Sequence, residues 1–303
     1  MSTKEDNIYM QRALQLALCG EAAAAPNPMV GAVIVTDGRI IGEGWHRKCG
    51  GPHAEVNAVN SVSERDLPLL RKSTIYVTLE PCAHWGKTPP CADMIVERGI
   101  PRIVIGCKDP FAKVDGLGIQ KLKDAGREVI VGVMEEECLA LNRVFMTFHR
   151  LHRPYVTLKW AQHPDGSMEG QISTPFTRML VHRLRARCGA ILVGTNTMLT
   201  DHPSLTVRDW RIEGEQPLRL TIDRRHRLPK DLTEGFLVYH EESLEDILAD
   251  LYQRGVQHLL VEGGRMLHQS FIDAGLYDEI RVETSGCRDI DAIDGHSIVC
   301  SYR

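Results

Sequence analysis

Three short pieces of the chain carry side chains that could do chemistry together: His53-Ala54-Glu55, Pro81-Cys82 and Pro89-Pro90-Cys91. One imidazole and two thiolates suit a borderline-soft cation and leave a fourth tetrahedral position open. Zinc with a water in that position fits best, because catalytic zinc keeps one site free of protein. Glu55 stands two residues beyond the histidine and adds a carboxyl beside this donor set. A closed structural site would need a fourth protein ligand, for which His84 is nearest, and would leave Glu55 without a role. His46 and His84 could line the pocket or face solvent, and the residue pattern leaves both readings open. Cys19, Cys107, Cys138 and Cys188 read as ordinary core or surface thiols.

The flanking pattern says which elements must hold these groups. Apolar residues at helical spacing (Met10, Ala13, Leu14, Ala17, Leu18) predict an opening helix over 6–19, with Thr3 and Asp6 as a loose capping box. Residues 30–35 and 39–45 around Asp37-Gly38 predict a hairpin with a primed turn. His53 should begin a helix of about three turns, a usual length. Residues 75–80 read as a buried strand with Cys82 just past its end, and Pro89-Pro90 start a helix that carries Cys91. His53 and Cys91 thus sit at helix beginnings, where free N–H groups and the helix dipole favour thiolates. A strand at 102–107, a helix near 118–125 and a strand at 128–133 complete an alternating β and α order, hence a sheet between helices.

At 303 residues the chain predicts two domains. The basic connector at 148–154, closed by Pro154, puts their limits at 1–148 and 152–303. A net charge of -4 without long basic runs argues against nucleic acid or a membrane as the main partner. Nine cysteines without secretory spacing predict reduced thiols, and with no cleavable leader or membrane-length apolar run the expected location is the cytoplasm.

After residue 154 strands are expected near 155–160, 190–194, 218–223, 236–239, 259–264, 279–284 and 297–302. Helices are expected near 174–187, 244–254 and 266–274. Glu262-Gly263-Gly264 lies where a strand ends and a helix opens, a place suited to close ligand approach and phosphate. By itself Gly-Gly is more often just a turn. No Gly-x-Gly-x-x-Gly is present, so a Rossmann dinucleotide site is not supported. Arg185, Arg187 and Arg208 suit phosphate, although arginines on a helix are more often a solvated face.

His-x-Glu followed by Pro-Cys is the signature of zinc-dependent deaminases. Pro26-Asn-Pro-Met-Val-Gly31, Gly50-Gly-Pro-His-Ala-Glu55, Lys108-Asp-Pro110 and the stretch from Thr78 to Cys91 more specifically resemble the pyrimidine deaminase of riboflavin biosynthesis. That enzyme is the amino-terminal half of a bifunctional deaminase/reductase. His182-Arg-Leu-Arg185, residues 190–194, 201–208 and 260–264 resemble its NADPH-dependent reductase half. The resemblance implies a cytidine-deaminase-like α/β/α zinc domain followed by a dihydrofolate-reductase-like α/β domain. It implies His53, Cys82 and Cys91 as zinc ligands and Glu55 as the catalytic acid/base. The implied substrate is a diaminopyrimidinone carrying a ribosylamino 5′-phosphate. Zinc-activated water would deaminate it, and NADPH would then reduce the ribosyl group to ribityl.

In the second half the matching substrate positions are Arg185, Leu205, Arg208 and Glu262. The matching cofactor positions are Ala161, Gln171, Thr197, Asp201 and Gly264-Arg265-Met266-Leu267. Two features depart from the family pattern: a shortened run to Gln171, which stands where the family has a Trp, and a tail of twenty residues after Glu283. A deaminase joined to a catalytically silent reductase-like domain is therefore the alternative. The resemblance also implies a homo-oligomer.

Overall fold

The opening helix α1 (Lys4–Leu18) turns Met10, Ala13, Leu14 and Ala17 inward at the spacing of one helix face. The computed structural model describes residues 4–83, 85, 89–110, 116–212, 214–287 and 292–303. The expected pairing of Asp6 with Thr3 lies outside the described residues. Asp6 itself is buried and accepts two hydrogen bonds from Arg102, at 2.9 and 3.1 Å, and one from the Tyr76 hydroxyl at 3.0 Å.

The chain divides into two units, Met1–Arg150 and Leu151–Arg303. In the first, β1 (Gly31–Thr36) and β2 (Arg39–Trp45) form the expected hairpin. Asp37 and Gly38 at its turn take φ of 49° and 73°, the left-handed pair of a primed turn. Next come α2 (Ala54–Asn60), a 3-10 helix (Glu64–Lys72), β3 (Thr74–Leu79), α3 (Cys91–Glu97), β4 (Arg102–Cys107) and α4 (Leu117–Asp124). The unit closes with β5 (Glu128–Val131), α5 (Glu135–Leu141) and α6 (Arg143–Leu151). The sheet order is β2-β1-β3-β4-β5, with β1 antiparallel to both neighbours and β3, β4 and β5 parallel.

Strand alternation sorts the core into two layers. Ala32, Ile34, Ile75 and Ile103 face Ala58, Ile95 and Leu122 of α2, α3 and α4. Val33, Val35, Tyr76 and Val104 face Met10, Cys138 and Met146 of α1, α5 and α6. This is an α/β/α sandwich, built because a strand sends successive side chains to opposite faces.

α2 is shorter than the three turns expected. It has seven residues, and the Ser61 hydroxyl donates to Ala58 O at its end. Serine offers the backbone a local alternative to continuing the helix. α5 and α6 were not anticipated, although Glu135-Glu-Glu137 in the first turn of α5 is a legible start signal.

Gly44 of β2 lets α2 lie directly on the sheet: a Cβ there would stand 2.3 Å from Ala58 N and 2.5 Å from Ala54 O. Gly44→Ala is expected to cost about 1–3 kcal/mol of stability by overpacking. It should also weaken retention of the cation expected from the sequence, because α2 directly follows His53. Calorimetry and a chelator competition measure the two effects.

The second unit contains β6 (Tyr155–Gln162), α7 (Pro175–Arg185), β7 (Ala190–Gly194), α8 (Thr195–Asp201), β8 (Leu218–Ile222) and β9 (Leu237–Tyr239). It continues through α9 (Leu244–Gln253), β10 (His258–Val261), α10 (Arg265–Ala274), β11 (Glu279–Ser285) and β12 (His296–Tyr302). The order is β12-β11-β6-β10-β7-β8-β9, parallel throughout except for β12. Leu158, Leu192 and Val261 pack on α9 and α10, while Ile191, Val193 and Leu260 pack towards α7 and α8. α8 was not anticipated, since Thr-Asn-Thr-Met-Leu-Thr-Asp is rich in weak helix formers. No described helix is long and apolar enough to cross a membrane.

His258 is buried in this sheet, with Nε2 2.8 Å from the Thr157 hydroxyl, and burial pushes it down to about 4. The unfolded chain, with histidine near 6.5, binds more protons than the folded one between these values. Stability is therefore lost as pH falls from about 6.5 towards 4, by about 3 kcal/mol for this group. A calorimetric pH series on the wild type and His258→Gln should show the slope flattened in the variant.

Candidate active sites

In the first unit two helix starts and a strand end converge. His53 is the N-cap residue of α2, Cys91 is the first residue of α3, and Cys82 lies three residues past the end of β3. His53 Nδ1 is 3.6 Å from Cys82 Sγ and 3.3 Å from Cys91 Sγ, and all three ligand atoms lie within 4.8 Å of one another. A tetrahedral zinc with nitrogen at about 2.0 Å and sulfur at about 2.3 Å has N–S edges of about 3.5 Å. The donor set therefore fits zinc in type and in spacing.

Backbone amides hold the thiols in place. Cys91 N–H donates to Cys82 Sγ at 3.3 Å, and Ala92 N–H donates to Cys82 O at 3.1 Å. Hydrogen bonds from Cys91, and then from His53, pull Cys82 down to about 4. Cys91, hydrogen-bonded to that sulfur and buried, is raised. The hydrogen bond to Cys82 lifts His53 to about 9. Protons thus sit among three groups that a cation would otherwise join. Glu55, in the first turn of α2, is 3% exposed, and burial pushes its carboxyl up to about 7. His84 lies outside the described residues.

His46 resolves towards the pocket reading. It is buried, its ring stands edge-on to His53 at 5.6 Å, and it bonds Asn27 Nδ2 and Pro52 O, each at 3.1 Å. A Pro52 carbonyl can only accept, so Nδ1 carries the hydrogen and Nε2 accepts from Asn27. Sequence reading also passed over Glu80. Its buried carboxylate accepts from the amides of Gly116, Gly118 and Ile119 at 3.0–3.1 Å, tying the start of α4 to the strand end that leads to Cys82. An acid closing an otherwise apolar strand was the available signal.

In the second unit a cavity of about 680 Å³ opens beside the ends of β6 and β10. Ala161, Gln171, Thr197, Asp201, Glu262 and Gly264 are on its wall, with Arg265. Gly263 and Gly264 take φ of 158° and 82°, and a Cβ on Gly263 would meet Thr197 Oγ1 at 3.1 Å. Only glycine lets this backbone pass so close to α8 in that conformation. Met266 and Leu267 differ from the other cofactor positions in that neither is on the wall. Met266 is 79% exposed and Leu267 packs on the core, because the helical turn after Gly264 rotates them away.

The substrate positions gather around one ion pair. Arg185 donates to both oxygens of Glu262, at 2.7 and 2.5 Å, and to Thr206 O at 3.1 Å. Arg208 N–H donates to His182 Nδ1 at 3.1 Å, and its guanidinium reaches the Ser204 and Thr206 hydroxyls. Leu205 lies between, with φ 48° and its side chain in the core, so it can offer a ligand only backbone. Of these four, Glu262 alone is on the cavity wall. Lys159, which the sequence reading does not single out, is on the wall as well, and burial lowers its pKa. A lysine inside an apolar strand was its signal.

The chain matches two family models: the cytidine and deoxycytidylate deaminase zinc-binding region over residues 3–107, and the RibD C-terminal domain over residues 154–284. The riboflavin biosynthesis protein RibD of Aquifex aeolicus is 39% identical over 91% of this chain and 86% of its own length. The Escherichia coli RibD is 36% identical over 92% and 87%.

The chain belongs to the RibD family.

Solved relatives agree over both units. A RibD structure from Acinetobacter baumannii has a TM-score of 0.81 at 36% identity, covering 93% of this chain and 87% of that one. A Thermotoga maritima structure, described as a diaminohydroxyphosphoribosylaminopyrimidine deaminase/5-amino-6-(5-phosphoribosylamino)uracil reductase, has a TM-score of 0.79 at 38% identity, covering 93% and 86%. As a RibD-family protein the chain is a bifunctional enzyme of riboflavin biosynthesis, a zinc-dependent deaminase followed by an NADPH-dependent reductase. Its fold class is the one expected, α/β in both units.

Proposed function

We propose that His53 Nδ1, Cys82 Sγ and Cys91 Sγ hold the zinc, and that Glu55 is the proton carrier of the deamination. The substrate in this reading is a diaminopyrimidinone with a ribosylamino 5′-phosphate. The observation that carries it is the convergence of three ligand atoms within 4.8 Å beside the buried Glu55. Zinc supplies a Lewis acid that makes water acidic near neutral pH. Glu55, with its carboxyl lifted to about 7, can take the proton of the attacking water and hold it. It then delivers that proton to the ring nitrogen, takes a second one from the added hydroxyl as the carbonyl forms, and passes it to the amino group, which departs as ammonia.

For the reductase, Arg185, Arg208, Glu262 and the backbone at Leu205 face the deaminated product. Ala161, Gln171, Thr197, Asp201 and the turn at Gly264-Arg265 face NADPH. Two of the five N–H groups of Arg185 remain for a phosphate after its bonds to Glu262 and Thr206. The enzyme works in the cytoplasm in this reading, as a homo-oligomer, on a small molecule and not on nucleic acid.

The test is NADPH oxidation with the deaminated ribosylaminopyrimidine phosphate supplied directly, beside ammonia release from the diamino substrate and a zinc assay. Turnover in both and about one zinc per chain is the expected result. Ammonia release without NADPH oxidation would sink the reductase assignment and leave a silent second domain.

A further inference from the structure

One wall of the reductase cavity is residues 166–173, a segment with neither helix nor strand. Its shape is set by contacts from β11 and β12 at both of its ends. His163 Nδ1 is 3.1 Å from the Ser285 hydroxyl, and His163 Nε2 donates to Glu169 O at 3.2 Å. At the far end the Ser173 hydroxyl donates to Glu283 Oε2 at 2.8 Å, and His296 Nε2 donates to Ile172 O at 3.1 Å.

His296 is 5% exposed, and both of its ring nitrogens face backbone carbonyls, Ile172 O and Asp294 O at 3.0 Å. A carbonyl can only accept, so the ring makes both bonds only when both nitrogens carry hydrogen. Glu283 is 2% exposed; its Oε1 has no hydrogen-bond partner among the described residues and stands 3.9 Å from His296 Nε2. A buried carboxylate oxygen left this way is costly unless its charge is used. Among the described residues this ring is in ion-pair range of it, and Lys159 interacts with the same carboxylate.

We infer that β11 and β12 act as a latch on the cavity wall, with Glu283 and His296 as positioning residues that hold segment 166–173 against NADPH. The inference rests on the cofactor reading of the cavity proposed above. It gives a role to the contacts of this segment: the wall has no helix or strand of its own, and β11 and β12 hold it. The latch residues touch the wall and not the cofactor.

The experiment is hydrogen exchange of the peptide 163–173 in the full chain, paired with the NADPH dissociation constant read from NADPH's own fluorescence. His296→Ala should exchange at least about tenfold faster in this peptide, with β7 unchanged, and bind NADPH about tenfold more weakly, the loss of one net hydrogen bond. His296→Gln keeps an N–H for Ile172 O and should return to within about twofold of wild type. Ammonia release should be unaffected in both. If His296→Ala proves unfolded by calorimetry, Ser173→Ala, which removes one partly exposed contact, decides by the same two readouts. Unchanged exchange would overturn the latch, and faster exchange with unchanged NADPH affinity would overturn its positioning role. A wild type that fails to bind NADPH would instead overturn the cofactor reading, while the exchange data would still decide the latch.

Discussion

Glu55→Gln is expected to lower the turnover of deamination by about 10²–10⁴-fold, the usual contribution of a positioned acid/base. Zinc content should stay at the wild-type level. The reason for the separation is geometric: the group that could hold a metal ion is His53, Cys82 and Cys91, and Glu55 is not in it. Gln has the same shape and cannot carry the proton. It also removes a carboxyl that burial pushes up to about 7, so folding should not suffer. Ammonia release and zinc analysis on one preparation measure both quantities. A variant that keeps full activity would end the proton-carrier assignment, and one that loses zinc would make Glu55 part of the metal site.

Glu262→Ala is expected to destabilise the second unit by about 3–5 kcal/mol, because it leaves the Arg185 guanidinium without its countercharge. Side-chain exposures of 13% for Arg185 and 9% for Glu262 put the pair out of reach of full solvent screening. Reductase turnover should be lost and ammonia release kept. A double substitution, Arg185→Met with Glu262→Met, should recover most of the stability, since an apolar pair of similar volume removes both buried charges. It should not recover NADPH oxidation. If the double variant reduces substrate normally, the pair serves folding alone and the substrate assignment of both residues falls.

Much of the first site is legible in the sequence. His53, Glu55, Cys82 and Cys91 are chemically distinctive, and their helix starts and strand end are marked by local signals, notably Pro81 and Pro89-Pro90. The length of α2 was misjudged because a seryl side chain at its end competes with the next helical bond. In the reductase, residue types left Arg185 and Arg208 open and the resemblance named them with Glu262, but neither could say that two of the three bind each other. Met266 and Leu267 came with the glycine turn as neighbours in sequence. A helix separates sequence neighbours by about 100° around its axis, and the cavity sees only its first positions.

The sequence by itself determined the class of the fold, through strand and helix periodicity, and the deaminase chemistry, through motifs around His53, Cys82 and Cys91 that resemble a known family. Those are properties of residue type and near-neighbour spacing. Only the tertiary structure decided that Glu80 anchors the start of α4, that Lys159 faces the reductase cavity, and that Glu283 and His296 reach its short wall. Each of these contacts joins residues far apart in the chain. Whether two such residues meet depends on sheet order and register, and no local pattern encodes those.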